Sequence, residues 1–475
     1  MPQEVVEPIL LAGRSEWRDE TCVIRSPYNG DPVAEVCFAD AADAEAACAA
    51  AQQAFTVTRK LASWERSAIL GRIADALSVQ REEIARGIAL EAGKPLKDSR
   101  AETDRAIHTF RVAAEEAKRV DGDAQPADWT PGSEGRLALS RRFPIGPILG
   151  ITPFNFPLNL VAHKLAPAIA SGNPIIIKPA PQTPLTALRL GRIAVEAGWP
   201  EGAISVLPCS NDVASQLVQD ERLVMLSFTG SAAIGWKLKA MVPRKRVTLE
   251  LGGNAAVIVC ADADVEFAAK RILVGGYTYA GQSCISVQRV YAHKSVVDNL
   301  IERIADGLRT MTVGDPADET TQMGPMINLA AAERAESWIA EAVEGGAKLH
   351  AGGLQAGTML TPTLLSNVRE TAQLCREEAF APVVIVNAFS DLAGAIAATN
   401  ASAYGLQAAI FTQSWASMAR AWNELEVGAV LVNESSAWRA DQLPYGGVKN
   451  SGVGKEGVRA AIAEMTESRM LVVAV

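Results

Sequence analysis

Between Gly146 and Leu251 short β-rich apolar runs alternate with helical stretches: PILGI, LNLVAHKLAPAIA, PIIIK, TALRLGRIAVEAG, ISVLP, DVASQLVQ, VMLSF, AAIGWKLKAM and RVTLEL. Parallel strands need a crossover between neighbours, and a helix makes that crossover while covering a sheet face. The alternation therefore specifies a parallel, doubly wound sheet. A second alternating series comes after Gly253, with AAVIV, QRVYAH, a long helix near 295–310, then VVIVNAF and AVLVN. It reads as a second α/β domain. The length agrees, because 475 residues exceed what one hydrophobic core serves, and two or three domains are expected.

Two regions stand outside both series. Residues 41–119 read as helices, with apolar residues at three- and four-residue spacing in ERSAILGRIADALSVQREEIARGIALEAG, closed by Gly93 and Pro95. Residues 121–144 are polar and turn-rich before they end in strand-like alternation. The C-terminal MLVVAV reads as a lone strand that needs an edge, on another subunit if not on its own. The chain has no internal repeat and no low-complexity tract.

Several function classes are excluded early. Net charge is −9 and the basic residues form no long run, which argues against nucleic acid as a partner. The N-terminal MPQEVVEPIL is acidic and lacks the apolar core of a signal peptide, and no apolar run reaches membrane-span length. Seven scattered cysteines without a CxxC pair, and four histidines without HExxH, suggest neither a disulfide framework nor a zinc site. A reduced, cytoplasmic protein without a metal is expected.

The one GxGxxG match, Gly452, Gly454 and Gly457, leaves only 18 residues beyond it, too few for a βαβ unit. It reads as a turn opening a last helix. Better cofactor signals lie earlier. LSFTGSAAIG places Gly230 and Ser231 between a strand and a helix, where backbone N–H groups favour a phosphate. Lys178 ends the strand PIIIK, at the side of the sheet where ligands bind. It is either a solvated strand-end lysine or a holder of ribose or phosphate.

Three further residues bear chemistry. Glu250 ends an apolar strand in TLELGGN, costly there unless solvated, paired or used. Cys284, in GQSC, lies 34 residues further on. A free cysteine is either core filler or a nucleophile, and company decides. Asn155, in TPFNFP, comes after a third strand, with its amide either a donor or satisfying local backbone. Together they make a nucleophile, a base and an oxyanion donor assignable to one crevice.

These stretches resemble the NAD(P)-dependent aldehyde dehydrogenases: TPFNFP, IIKP, FTGSAAIG, LELGGN, GQSC, EEAFAPV and PYGGVKNSGVGKEG, in family order across residues 152–457. The resemblance implies Cys284 as nucleophile, Glu250 as general base and Asn155 as oxyanion donor beside the Cys284 backbone N–H. It implies a cofactor site of Thr152, Phe154, Lys178 (adenosine ribose), Gly230, Ser231 (pyrophosphate), Leu251, Glu378 (nicotinamide ribose) and Phe380. It further implies a cofactor domain of residues 1–120 and 145–252, a catalytic domain of 253–452, and bridging segments 121–144 and 453–475 that join homodimers or homotetramers. Relatives that pass the acyl group to coenzyme A usually lack a glutamate at the place of Glu250, so its presence favours hydrolysis. The chain departs from the family where Pro181 replaces a glutamate common among NAD-preferring relatives, where Ala381 replaces a glycine, and where Tyr445 replaces a phenylalanine. NAD and NADP both stay open, with a lean toward NAD.

KPAPQTPL, NLVAHKLAP and RADQLPYGGVKNSG resemble the branch holding lactaldehyde and phosphonoacetaldehyde dehydrogenases. A small hydroxy- or acid-bearing aldehyde is expected, lactaldehyde-like or, alternatively, phosphonoacetaldehyde or another anionic semialdehyde. Candidate pocket residues are Arg111, His163, Ser283, Ile285, Trp438 and Arg439. Arg111 could equally be a solvated cation and His163 a satisfied helix residue. An acid-bearing aldehyde wants an arginine fork, from Arg111 and Arg439. Rival readings are a catalytically silent structural relative, which the full set Cys284, Glu250, Asn155 and Lys178 argues against, and thiol-dependent ester hydrolysis.

Overall fold

The computed structural model describes residues 6–120 and 122–474; the first five residues, Asp121 of the expected bridging segment and Val475 lie outside it. Eight strands form the first sheet, in the order Gly452–Val453, Arg246–Glu250, Met225–Thr229, Ile148–Ile151, Ile175–Lys178, Ile204–Val206, Ile9–Leu11 and Arg14–Glu16. The five from Arg246–Glu250 to Ile204–Val206 run parallel, and antiparallel strands close both edges. The chain winds outward from Ile148–Ile151 to Ile204–Val206, then crosses back to lay Met225–Thr229 on the other side of Ile148–Ile151. The loops leaving those two strands diverge, and a crevice opens at their carboxyl ends.

The helical region resolves into Ala41–Thr58, Ser63–Val79, Arg81–Ala92 and Leu96–Glu116. Gly93, at φ 67°, ends Arg81–Ala92, and Pro95 caps the next helix. The apolar stripes of the last three join Asn159–Ser171 and Leu185–Glu196 in one core against the sheet, while Ala41–Thr58 packs mainly into a second core with Leu149, Ile176 and Leu226.

The second sheet orders Lys348–Ala351, Thr363–Ser366, Val383–Phe389, Val287–His293, Ala255–Val259, Gln407–Phe411 and Ala429–Val432, with only the first antiparallel. Arg246–Glu250 of the first sheet passes through residues 251–254 directly into Ala255–Val259 of the second. The carboxyl edge of one sheet thus meets the amino edge of the other.

The C-terminal strand finds its edge in its own chain: Thr466–Ala474 pairs along its whole length with Arg136–Pro144, whose other side takes Ala124–Pro126. The strand pairing of the expected segment 453–475 does not start on that arm. Gly452–Val453 joins the first sheet, and helix Val458–Glu464 sends Val458 and Ile462, four residues apart, into the first core. The arm resumes at Thr466. Among the described residues no helix is long and apolar enough to cross a membrane.

Candidate active site

A cavity of about 610 Å³ lies where the sheets meet. The first sheet contributes residues at and just beyond the ends of its strands: Phe154 and Asn155, then Gly230 and Ser231, then Glu250 and Leu251. The second contributes residues just ahead of its strands: Ser283, Cys284 and Ile285 before Val287–His293, and Glu378 and Phe380 before Val383–Phe389. Late loops add Arg439, Tyr445 and Glu456, and helix Leu96–Glu116 adds Arg105.

Cys284 sits on a taut turn. Tyr279, Ala280 and Gly281 all hold left-handed backbone, at φ 50°, 53° and 66°. For the two non-glycines this costs about 1 kcal/mol or more each. Surrounding contacts hold it. The Tyr279 hydroxyl donates to the Ala92 carbonyl at 2.8 Å. The Gln282 amide donates to the carbonyls of Tyr279 (3.3 Å) and Pro325 (3.2 Å) and accepts from the Ile327 N–H at 2.8 Å. A Cβ on Gly281 would strike the Ala381 carbonyl, so glycine is required there. Ile285, Leu406 and Tyr445 cluster against the cysteine. Burial of the cysteine pushes its thiol up to about 12, while the Tyr445 hydroxyl, 3.2 Å from Sγ, pulls the other way.

Across the crevice, Asn155 donates one amide N–H to the Gln282 carbonyl at 2.9 Å, and its Oδ1 has no protein partner. The amide carries a second N–H. Glu250 is buried with neither carboxylate oxygen paired. Burial first, then repulsion from Glu456, pushes its pKa well above the usual carboxylate range. Gly446 permits this placement, since a Cβ there would lie 2.8 Å from Oε1. Burial works on Glu456 as well, but Lys164 at 3.2 Å and Arg439 at 3.3 Å outweigh it and hold its pKa down at about 2. Two carboxylates in one pocket are thus driven apart, Glu456 held ionised and Glu250 pushed toward its protonated form.

On the cofactor side, Glu378 accepts from the Gly253 N–H at 3.0 Å, and burial pushes its pKa up to about 7. Phe380, at φ 49°, meets Phe154 edge-on with ring centres 5.8 Å apart. Ser231 caps helix Ala232–Met241 without a side-chain hydrogen bond, which leaves the first-turn N–H groups for an anion. Lys178 is 6% exposed, its pKa lowered by burial, with no hydrogen-bond partner among the described residues. Lys178 and Thr152 stand outside the cavity wall, at the carboxyl ends of adjacent strands, joined by a 3.1 Å backbone hydrogen bond. A free helix N-terminus and an unpartnered ammonium beside the switch point fit a dinucleotide.

The substrate candidates divide. Ser283, Ile285 and Arg439 line the cavity. Arg111 does not: it points from Leu96–Glu116 into solvent. His163 is buried behind the wall, bonded to Asp441 at 2.8 Å, a satisfied helix residue. Trp438 is half exposed and outside the wall. Arg105 is the residue missed. It lies between buried Glu102 and Thr109 on one helical stripe, and because those neighbours are polar, no apolar periodicity marks the stripe as inward in the sequence. Its Nε and Nη2 bond both oxygens of Asp441 at 2.9 and 2.8 Å.

A cysteine and an unpaired buried carboxylate, facing each other at the switch point of a doubly wound sheet, place the molecule among the α/β dehydrogenases that carry a thiol in the crevice. The sequence pattern of the aldehyde dehydrogenase family matches residues 15–471, and the chain belongs to that family. It is 42% identical over 465 residues to 3-sulfolactaldehyde dehydrogenase of Priestia aryabhattai, covering 98% of this chain and 97% of the relative. To lactaldehyde dehydrogenase of Methanocaldococcus jannaschii it is 36% identical over 470 residues, covering 98% and 100%. The crystal structure of aldehyde dehydrogenase 21 from Physcomitrella patens, in complex with the reaction product succinate, superposes with a TM-score of 0.98 at 40% identity, covering 99% of each chain.

Proposed function

We propose that the protein oxidises a small aldehyde with an anionic far end to the carboxylic acid, using NAD or NADP, and releases the acid by hydrolysis. Arg439 carries the substrate class. It lines the cavity at 8% exposure, and its Nε is buried without a hydrogen-bond partner, the nearest carboxylate being Asp441 at 3.8 Å. A buried guanidinium N–H so placed calls for an acceptor. Arg105 reaches the same cavity. The sulfonate in the name of the Priestia relative and the succinate in the Physcomitrella crystal support the same reading. A neutral hydroxyaldehyde is the second reading, favoured by the hydroxyl of Ser283 in the cavity wall and by the lactaldehyde relative.

Cys284, once deprotonated, adds to the aldehyde carbon; the S–C bond forms and the carbonyl π pair moves to oxygen. The second N–H of Asn155 and the backbone N–H of Cys284 donate to that oxyanion, and losing one such donor costs about 3 kcal/mol. A bound nicotinamide would accept the hydride from the substrate carbon as the oxyanion pair re-forms the carbonyl, so that Cys284 carries the acyl group as a thioester. Glu250 takes a proton from water as the water oxygen adds to the acyl carbon, and the C–S bond breaks. Its raised pKa makes it a stronger base than an ordinary carboxylate. Lys178 and Ser231 would hold the adenosine ribose and the pyrophosphate, Glu378 the nicotinamide ribose, with Thr152 and Phe154 beside them. No second basic residue adjoins Lys178 in KPAPQTP, which tilts the choice to NAD. Assembly as a homodimer or homotetramer is supported by Met470 to Val473, apolar and exposed on the arm.

The test is a panel of carboxylate, sulfonate and phosphonate semialdehydes against a neutral hydroxyaldehyde of matched length, each with NAD and NADP. An anionic aldehyde should exceed the neutral one in kcat/KM by about tenfold or more. Equal values would remove Arg439 as the determinant.

A further inference from the structure

We propose that the Tyr445 hydroxyl is a catalytic group of this enzyme, donating a hydrogen bond that stabilises Cys284 whenever its sulfur is a thiolate. The inference rests on Cys284 being the nucleophile.

The hydroxyl stands 3.2 Å from Sγ, within hydrogen-bond range for sulfur. Beside a thiol either atom could donate, but a thiolate has no proton, so the phenol must. Its position is fixed. Tyr445 is 7% exposed, donates its N–H to the Glu456 carbonyl at 3.0 Å and accepts the Glu456 N–H at 2.7 Å. The Arg439 guanidinium lies 3.8 Å from the ring centre. Burial holds the phenol far above its usual range, so it keeps its proton at working pH. The charged groups facing the sulfur are Glu378 and Glu250, which disfavour a thiolate, and Arg439, which favours one. Against the apolar cluster of Ile285, Leu406 and the tyrosine ring, a half-buried thiolate without this bond would be poorly solvated on that side. The thiol proton goes to Glu250, directly or through water. The same bond then serves a second time, when the C–S bond breaks in hydrolysis and the departing sulfur regains its charge.

The experiment is the pH dependence of iodoacetamide alkylation in the full-length enzyme and in Tyr445→Phe, with the labelled peptide identified by mass. The variant's apparent thiol pKa should rise by about one unit or more, and its alkylation at neutral pH should slow about tenfold. The high-pH plateau and the binding of reduced cofactor should stay unchanged, which a merely structural role of the tyrosine would not produce. Replacing all tyrosines by 3-fluorotyrosine, a more acidic phenol of nearly the same shape, should move the wild-type profile the other way. Label on Cys284 with coincident profiles in all three proteins overturns the role of Tyr445. Label on another cysteine, with dehydrogenase activity retained, overturns Cys284 as nucleophile instead.

Discussion

The two sheets obey one winding rule and serve the cavity from opposite ends. In the first, the cavity residues come after strands: Asn155 after Ile148–Ile151, Ser231 after Met225–Thr229, Glu250 at the end of its own. In the second they come before strands, as Cys284 precedes Val287–His293 and Glu378 precedes Val383–Phe389. The four-residue link 251–254 imposes this, because it carries the chain from one carboxyl edge straight into an amino edge. The expectation that ligands gather at carboxyl ends therefore finds the site in the first sheet and points away from it in the second. One sheet brings Glu250, Asn155 and the helix start at Ser231, and the other brings Cys284, Glu378 and Phe380.

That division predicts separable chemistry, and Glu250→Gln is the severest test. Reduced cofactor should appear in one burst near enzyme stoichiometry, and the steady state after it should be on the order of 10²–10⁴-fold slower. The acyl group on sulfur should be visible by intact mass. On the proposed mechanism, hydrolysis in the wild type needs Glu250 without its proton. Because burial and Glu456 raise its pKa, the rate should rise with pH through a point above the ordinary carboxylate range. That inflection should vanish in the variant. Normal turnover with the inflection retained would mean that another base acts.

The same asymmetry explains what the sequence disclosed. Strand–helix alternation is a local signal, so the first sheet, its turn at Ser231 and the strand-end positions of Lys178 and Glu250 could be read from periodicity alone. Cys284 has no such signal. It comes after a turn whose left-handed backbone is held by Ala92 and Pro325, residues distant in the chain, and only the GQSC motif exposed it. Arg105 and Arg111 show the remaining limit. Both are arginines on one helix, and choosing between them required the burial of Glu102 and Thr109, which only the packed core decides. The edge that receives Thr466–Ala474 lies over three hundred residues back along the chain, beyond any local pattern.

A smaller effect is expected where the late loops meet the cavity. Arg439→Gln should raise KM for an anionic aldehyde about 10- to 100-fold, the worth of one or two charge-assisted hydrogen bonds. Because Arg439 also steadies Glu456 at 3.3 Å, kcat will shift as well. The ratio of anionic to neutral substrate is therefore the quantity to track. Arg111→Gln should leave that ratio unchanged, since Arg111 faces solvent. A ratio equally insensitive to Arg439 would move anion recognition to Arg105.

The smallest effect concerns the far end of the first sheet, where Pro181 lies exposed three residues beyond Lys178. A carboxylate at this point would accept hydrogen bonds from both ribose hydroxyls and repel a 2′-phosphate; proline does neither. Lys178, buried and without a hydrogen-bond partner among the described residues, serves a hydroxyl or a phosphate equally well. Both cofactors should therefore work in the wild type, with NAD modestly preferred. Pro181→Glu should lower kcat/KM for NADP about tenfold or more, since the new charge meets a phosphate, and change NAD by less than about threefold. Comparing kcat/KM for the two cofactors in both proteins is the measurement. A wild-type preference above about a thousandfold, or ~4 kcal/mol, would show that selectivity is set elsewhere along the crevice, and would detach cofactor choice from the strand ends that otherwise build this half of the site.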